Sequence, residues 1–178
     1  MASTRILSVI GRKNAGKTTL TVALAAELVR RGHRVMTIKH GDHPANVDTQ
    51  GTDSWRHFHE GRAERVLLAS PDMRVLFERA ADDYDPISLV RRYLDGADIV
   101  LVEGFKRSAL PKVEVYRTKA SDGGPLYREP GLDPATWVAI VTDDIALEAE
   151  CPVLRFQDTM WLQLLANMVW AYALVIPE

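Results

Sequence analysis

Short apolar blocks separated by polar segments run along the chain, and their spacing predicts alternating strands and helices. The first block, Ile6–Ile10, is mostly β-branched and ends at a glycine, which is typical of a buried strand. Leucines then recur at helical spacing and predict an amphipathic helix over Lys17–Arg31. The block Arg34–Ile38 predicts the next strand. A strand, a helix and a strand in this order favour a right-handed crossover and a parallel sheet.

The remaining blocks extend this α/β pattern. Arg65–Ser70 and Arg74–Phe77 flank a turn at Pro71 and predict an antiparallel hairpin. The aliphatic run Ile99–Val102 predicts a strand that is buried on both faces. Further strands are predicted over Val113–Arg117, Trp137–Val141 and Val153–Phe156, and helices over Asp53–Glu60, Pro86–Leu94 and Met160–Ile176.

The segment between the first strand and the first helix reads Gly-Arg-Lys-Asn-Ala-Gly-Lys-Thr (Gly11–Thr18), the full phosphate-binding loop pattern in its required context. Gly11 permits a tight turn out of the strand, and Gly16 permits close approach of the backbone to an anion. The N–H groups of residues 15–18 lie at a helix start, where the helix dipole favours negative charge.

Two side chains of this loop are suited to a nucleotide. Lys17 is placed to reach the β- and γ-phosphates, and Thr18 offers a hydroxyl to Mg²⁺. The predicted fold is therefore a three-layer α/β P-loop NTPase, with a mostly parallel central sheet and an antiparallel edge hairpin, in a single domain over residues 1–178. The predicted phosphate-site residues are Gly11, Arg12, Lys13, Asn14, Ala15, Gly16, Lys17, Thr18 and Thr19.

Polar residues just after strands are the next candidates, because ligands of open parallel sheets bind at the carboxyl ends of the strands. Glu103 follows the aliphatic strand and is predicted to lie in the Mg²⁺ shell or to orient a nucleophile. Lys39 and His40 follow the second strand and are predicted to lie beside the phosphate loop. Lys106 is a candidate for contact with an anionic ligand, and solvent is the alternative for it.

Two acidic positions have a structural alternative. In the long polar loop after the second strand, Asp48 or Asp53 is a candidate for holding a metal-bound water or the ion itself, and a helix-capping Asp is the alternative. Asp143 follows a late strand, where a carboxylate can accept both the N1–H and the 2-amino group of guanine. Helix capping is again the alternative.

Histidines cluster between positions 33 and 59, and His40 with His43 is a candidate metal pair. No nearby cysteine completes a zinc-binding spacing, so we do not expect a structural metal site. The single cysteine, Cys151, excludes an internal disulfide.

Composition and patterning limit the partners. The net charge is −2 and no long basic run occurs, which argues against a nucleic-acid partner. The first apolar block is too short for a signal peptide, and Met160–Ile176 is too polar for a confident membrane span, so we expect a cytoplasmic protein. The aromatic residues Trp161, Trp170 and Tyr172 leave room for a dimer contact.

Several segments together are more specific than the phosphate loop alone. They are Gly11–Thr19, Thr37–His40 leading into Asp48 and Gly51–Ser54, Glu60–Ala63, Asp98–Lys106 and Pro111–Val115. In this combination, which covers most of the first two thirds of the chain, the sequence resembles the molybdopterin-guanine dinucleotide biosynthesis protein B family.

The resemblance implies a GTP-binding accessory protein with Mg²⁺ and weak GTPase activity. It also implies a homodimer that assists the nucleotidyltransferase joining GMP to the molybdenum-pterin cofactor, with molybdopterin as a further candidate ligand. Lys17, Glu103 and Asp53 are the predicted catalytic residues. Hydrolysis by the isolated protein should be slow, because no arginine finger within the chain is recognisable.

Other functions fit parts of the sequence. The histidines suit a nickel-insertion GTPase, that is, a metallochaperone of the same architecture. A small-metabolite P-loop kinase would need an arginine-rich lid, for which Arg117, Lys119 and Arg128 beside a flexible loop give weak support. A non-catalytic adaptor would use GTP only as a ligand or as cargo for a partner.

Overall fold

A computed structural model describes residues 3–41, 47–80, 85–120 and 123–176 of the chain. Its elements in chain order are β1 (Arg5–Ile10), α1 (Lys17–Arg30), β2 (Val35–Lys39), α2 (Asp53–His59), β3 (Arg65–Ala69), β4 (Arg74–Glu78), α3 (Pro86–Tyr93), β5 (Ile99–Glu103), β6 (Lys112–Tyr116), β7 (Trp137–Thr142), β8 (Val153–Arg155), α4 (Trp161–Tyr172) and β9 (Leu174–Val175). Internal contacts divide the chain into two compact units, Met1–His40 with Asp85–Glu178 and Gly41–Tyr84. The expectation of one domain over residues 1–178 stays a prediction.

The first unit contains a seven-stranded sheet with the main order β2-β5-β1-β6-β7-β8. Neighbours along this order are parallel, and β9 pairs antiparallel with β1. The register aligns Val9 of β1 and Lys39 of β2 with Glu103 of β5. The carboxyl ends of these three strands therefore lie side by side, at the edge of the sheet where ligands are expected.

Apolar side chains on both faces of the sheet build the three layers. Alternate residues of a strand point to opposite faces. Leu7 of β1 belongs to a buried cluster with Leu24 of α1 and Leu165 of α4. Its neighbour Ile6 belongs to a second cluster with Val90 of α3. The sheet is thus packed between α1 and α4 on one face and α3 on the other, which confirms the predicted three-layer α/β architecture.

The second unit contains α2 and the antiparallel hairpin of β3 and β4. Thr52 caps α2, since its side chain accepts a hydrogen bond from the Trp55 N–H at 3.3 Å. The Arg79 guanidinium lies over the Phe58 ring, 4.4 Å from its centroid. The hairpin forms where the pattern predicts it, but its hydrogen bonds make a two-stranded sheet of its own, not an edge of the central sheet.

The C-terminal segment is shorter as a helix than its apolar pattern predicts. α4 ends at Tyr172, because the extended backbone of Ala173 (φ −58°, ψ 141°) turns the chain into β9. The Ile176 N–H then donates to the Thr4 carbonyl at 2.8 Å. In the described part of the chain, no helix has the length and apolar character needed to cross a membrane.

Two of the three aromatic residues assigned to a dimer contact are used inside the fold. Trp170 stacks on His33 with ring centroids 3.8 Å apart, and the Arg5 guanidinium lies 4.2 Å from its ring. Trp161 packs edge-on against Phe156 at 5.3 Å. Tyr172 remains largely exposed. Both tryptophans are partly exposed, and the dimer contact stays a prediction.

A buried carboxyl group on β6 accepts hydrogen bonds from the loop that follows this strand. Glu114 is 1% exposed and accepts hydrogen bonds from the backbone of Leu126 and Tyr127 and from the Trp137 indole. Burial raises the pKa of Glu114 above its usual range, although the three N–H donors act in the opposite direction.

We expect Glu114→Ala to lower the free energy of unfolding by about 3 kcal/mol, because buried N–H donors lose their acceptor. Urea denaturation followed by circular dichroism measures the change. Glu148→Ala, at an exposed glutamate, is the control and should leave the unfolding midpoint within error. Equal midpoints for the two variants would contradict the structural role of Glu114.

Candidate functional site

The loop between β1 and α1 begins at Gly11. Any other residue at this position would displace the neighbouring backbone. Gly11 has φ +154°, and a Cβ atom there would lie 2.5 Å from the Val115 carbonyl oxygen on β6. Gly16 has φ +102° and is the N-cap of α1. Both positions have a positive φ that favours glycine, and at Gly11 a side chain would also clash with β6.

Free backbone donors converge at the start of α1. The N–H groups of Gly16, Lys17 and Thr18 have no acceptor among the described residues. Ala15 differs from expectation, since its N–H donates to the Arg12 carbonyl at 3.2 Å. Three unpaired N–H groups at the positive end of a helix dipole form a site suited to an anion.

Lys17 lies over the same loop. Its ammonium group donates to the Arg12 carbonyl at 2.9 Å, a hydrogen bond that joins the two ends of the loop. An ammonium group has three N–H donors, so two remain for phosphate oxygens. This hydrogen bond holds Lys17 in place, and among the described residues Lys17 has no acidic partner that would compete with a bound anion.

Glu103 approaches the loop from β5. The Thr18 hydroxyl donates to Glu103 Oε1 at 2.9 Å, and Glu103 is 8% exposed. Backbone hydrogen bonds fix the end of the strand, from His40 N–H to the Glu103 carbonyl at 2.9 Å and from Gly104 N–H to the Val9 carbonyl at 3.0 Å. The structure thus brings together the hydroxyl and the carboxylate that the sequence assigned to a metal shell.

The end of β2 lies next to this carboxylate. Lys39 is the register partner of Glu103, and its side chain is exposed. The His40 ring packs against Phe105 with centroids 4.5 Å apart. Gly104, with φ +109°, allows this approach, because a Cβ there would lie 2.9 Å from the His40 Cβ. Lys39 therefore lies at the predicted edge, whereas His40 has a packing role in this structure.

The basic residues Arg12 and Lys106 both contact one acid. Arg12 Nη2 lies 3.3 Å from Glu129 Oε2, and Lys106 Nζ lies 3.2 Å from Glu129 Oε1. Arg12 also donates to the Gly124 carbonyl at 2.7 Å. Glu129 therefore compensates part of the positive charge of both residues, and their predicted contact with a ligand stays a prediction.

The other loop residues stay at the surface. Lys13, Asn14 and Thr19 are exposed, and Asn14 has φ +63°. Asparagine tolerates this left-handed conformation better than most residues. Ala15 is fully buried against the core and contributes packing.

Asp143 lies where the sequence places it, just after β7, and it binds a neighbouring loop. Its Oδ1 accepts a hydrogen bond from the Thr118 N–H at 2.9 Å. Asp53 is the first residue of α2 and belongs to the second unit, Gly41–Tyr84. Asp48 in that unit accepts hydrogen bonds from the Thr49 N–H and the Thr52 hydroxyl. The catalytic role of Asp53 stays a prediction.

The histidines do not assemble a metal centre in the described residues, where no group of three or more His, Cys, Asp or Glu side chains could hold a metal ion. His33 stacks on Trp170, and His59 stacks on Trp55 at 4.6 Å. His43 lies outside the described residues, so the predicted pair with His40 stays a prediction. Burial raises the pKa of the Cys151 thiol to about 11, which suits an inert packing residue.

One basic residue near the loop was not assigned to it from the sequence. Arg117 follows β6 directly, and its Nε lies 3.6 Å from the Cβ position that Gly16 lacks. The sequence signal existed, since Arg117 comes at the carboxyl end of a predicted strand. The pattern predicts Arg117 as the last residue of that strand and gives weak support for a kinase lid.

Together, the parallel sheet, the glycine-bounded loop between β1 and α1 and the acid from β5 define a P-loop protein. Comparison with known families agrees with this class. Residues 6–143 match the family model described as "Molybdopterin guanine dinucleotide synthesis protein B". The chain belongs to this family, MobB.

Curated relatives support the family assignment, and a solved structure shows the same fold. A molybdopterin-guanine dinucleotide biosynthesis adapter protein of Haemophilus influenzae is 34% identical over 147 residues, which are 80% of each chain. The Escherichia coli protein of the same name is 27% identical over 155 residues, 86% of each chain. The crystal structure of Bacillus subtilis MobB superposes with a TM-score of 0.70 at 21% identity, covering 98% of this chain and 99% of that one, and shows the shared fold.

Proposed function

We propose that the chain is an adapter of molybdopterin-guanine dinucleotide biosynthesis that binds GTP with Mg²⁺ in the Gly11–Thr18 loop. The observation that carries the nucleotide part is the 2.9 Å contact between the Thr18 hydroxyl and Glu103, beside three unpaired backbone N–H groups. The names of the H. influenzae and E. coli relatives support the adapter part. They give no support to a nickel metallochaperone or a metabolite kinase.

The donor set fits Mg²⁺, which prefers hard oxygen ligands and is usually held by one or two protein groups plus phosphate oxygens. Thr18 and Glu103 would supply the protein oxygens, Glu103 directly or through a water molecule. When bound, Mg²⁺ neutralises charge on the phosphates. Lys17 adds a second positive charge, and the helix start donates hydrogen bonds to the same anion.

Hydrolysis in this site needs positioning and charge neutralisation without a covalent intermediate. Glu103 is the candidate for orienting an attacking water, because its carboxylate faces Thr18 at the carboxyl end of β5. We assign a catalytic role to no other carboxylate of the first unit. We therefore propose a weak GTPase whose main task is to support the nucleotidyltransferase that attaches GMP to molybdopterin.

Guanine preference rests on Asp143 in this proposal. Thr118 occupies Oδ1 of the carboxylate. The Thr118 hydroxyl also donates to this oxygen, at 3.3 Å. The two lone pairs of the other oxygen, Oδ2, are available for the two N–H donors that guanine presents and adenine does not. A homodimer and direct contact with molybdopterin belong to the same proposal and rest on the family resemblance.

Competition between GTP and ATP for a fluorescent guanine nucleotide tests the base preference. In Mg²⁺ buffer, we expect GTP to displace the probe at a concentration at least about 10-fold lower than ATP, because two hydrogen bonds distinguish the bases. Asp143→Asn should reduce this preference. Asp144→Asn, one position on, is the control and should preserve it. Equal displacement by both nucleotides would contradict guanine recognition.

A transfer assay tests the adapter role. Purified wild-type protein added to a nucleotidyltransferase, molybdopterin and GTP should raise the rate of dinucleotide formation. A variant that cannot bind nucleotide should not. No effect of either protein over a range of ratios would contradict the role.

A further inference from the structure

Arg117 is positioned at the phosphate loop by its place in the sheet. It follows β6, and β6 is paired with β1, the strand that leads into the loop. The guanidinium Nε is 3.6 Å from the position of a Cβ on Gly16, the N-cap of α1. The absence of a side chain at Gly16 therefore leaves this arginine next to the unpaired N–H groups of the helix start.

The guanidinium of Arg117 has no hydrogen bond or ion pair with any residue within 3–41, 47–80, 85–120 or 123–176. It lies instead over the Phe156 ring, 4.3 Å from the centroid, while Phe156 rests edge-on against Trp161. Stacking on the ring uses the planar face of the guanidinium, so the N–H groups along its edge are available for hydrogen bonds. A guanidinium has five N–H donors, so this half-buried side chain retains its full capacity for an oxyanion.

The backbone next to Arg117 is also fixed. The Thr118 N–H donates to Asp143 Oδ1 at 2.9 Å, and the Ala120 N–H donates to the Arg117 carbonyl at 3.2 Å. Less conformational freedom is therefore lost when the side chain binds. Arg12 differs, because Glu129 and the carbonyls of Gly123 and Gly124 already use three of its five N–H donors.

We propose that Arg117 binds the diphosphate portion of the nucleotide held by the Gly11–Thr18 loop. In the sheet, β5 and β6 lie on opposite sides of β1, so Glu103 and Arg117 flank the loop from opposite sides. In this arrangement, Thr18 and Glu103 would lie beside the metal ion. Arg117 would donate hydrogen bonds to phosphate oxygens that face away from it. The inference rests on the proposed nucleotide site, and it assigns a binding residue that the sequence pattern of the loop does not contain.

The test compares GDP and GTP affinity by calorimetry in Mg²⁺ buffer. Arg117→Ala should weaken both nucleotides in similar proportion, by about 10- to 100-fold, because charge-assisted hydrogen bonds to phosphate are lost. Arg117→Lys should recover only part of the affinity, since an ammonium lacks the two-pronged geometry. Phe156→Leu, which removes the stacking surface, should give a smaller loss.

Lys119→Ala is the matched control, because it removes one exposed positive charge two positions away and should change neither affinity by more than about 2-fold. Unchanged affinity in a folded Arg117→Ala variant would overturn the inference. A loss of affinity for GTP but not for GDP would also overturn it, because the contact would then be with the γ-phosphate. If the wild type binds neither nucleotide, the proposed function itself fails; if it binds both and only Arg117→Ala is without effect, this inference alone fails.

Discussion

Lys17→Ala should weaken GTP binding by at least about 100-fold. The ammonium of Lys17 retains two N–H donors after its contact with the Arg12 carbonyl. Each charge-assisted hydrogen bond contributes about 1.5–3 kcal/mol, so the loss of two corresponds to this factor or more. Calorimetric titration with GTP and Mg²⁺ measures the change directly.

Lys119→Ala provides the control, at an exposed lysine outside the loop. It removes the same charge and should leave GTP affinity within about 2-fold of wild type. Circular dichroism should show both variants folded, since neither lysine belongs to the core. Undiminished GTP affinity in a folded Lys17→Ala variant would contradict the location of the site.

Glu103→Gln should separate the metal from the phosphates. The amide keeps the size of the side chain and an acceptor for the Thr18 hydroxyl, but it removes the negative charge that holds a cation. In Mg²⁺ buffer we expect GTP affinity to fall by about 10-fold and single-turnover hydrolysis to fall by at least as much. With Mg²⁺ chelated, GTP affinity should equal or exceed that of wild type, because a repelling charge near the phosphates is gone.

Asp98→Asn is the control for charge removal, because Asp98 directly precedes the opposite end of β5, where it accepts a hydrogen bond from the Arg34 N–H. It should leave the Mg²⁺ dependence unchanged. Equal loss of affinity by Glu103→Gln with and without Mg²⁺ would contradict a metal role and indicate a general disturbance of the loop.

The sequence predicts what local patterns encode. The strand, loop and helix from β1 to α1 were predictable because glycine, lysine and threonine occupy fixed positions between an apolar strand and a leucine-spaced helix. Glu103 was predictable because an acid directly after four aliphatic residues must emerge at the carboxyl end of a buried parallel strand. Both inferences needed only neighbouring residues.

Contacts between distant segments were not predictable in the same way. No local pattern shows that Glu129 would engage both Arg12 and Lys106, or that Phe156 would carry the guanidinium of Arg117. The strand β9 was missed because its two residues continue the apolar pattern of α4, and its partner is β1 at the other end of the chain. Such contacts depend on the order of strands in the sheet, which periodicity does not specify.

The most direct test of the central claim follows the backbone amides of the loop by NMR. Titration of ¹⁵N-labelled protein with Mg²⁺ and a non-hydrolysable GTP analogue should move the amide resonances of Gly16, Lys17 and Thr18 strongly downfield, because their N–H groups gain charge-assisted hydrogen bonds to phosphate. The Asp98 amide, beyond the far end of the sheet, should stay in place. If the nucleotide binds while the three loop amides remain at their free positions, the phosphates lie elsewhere and the account is wrong.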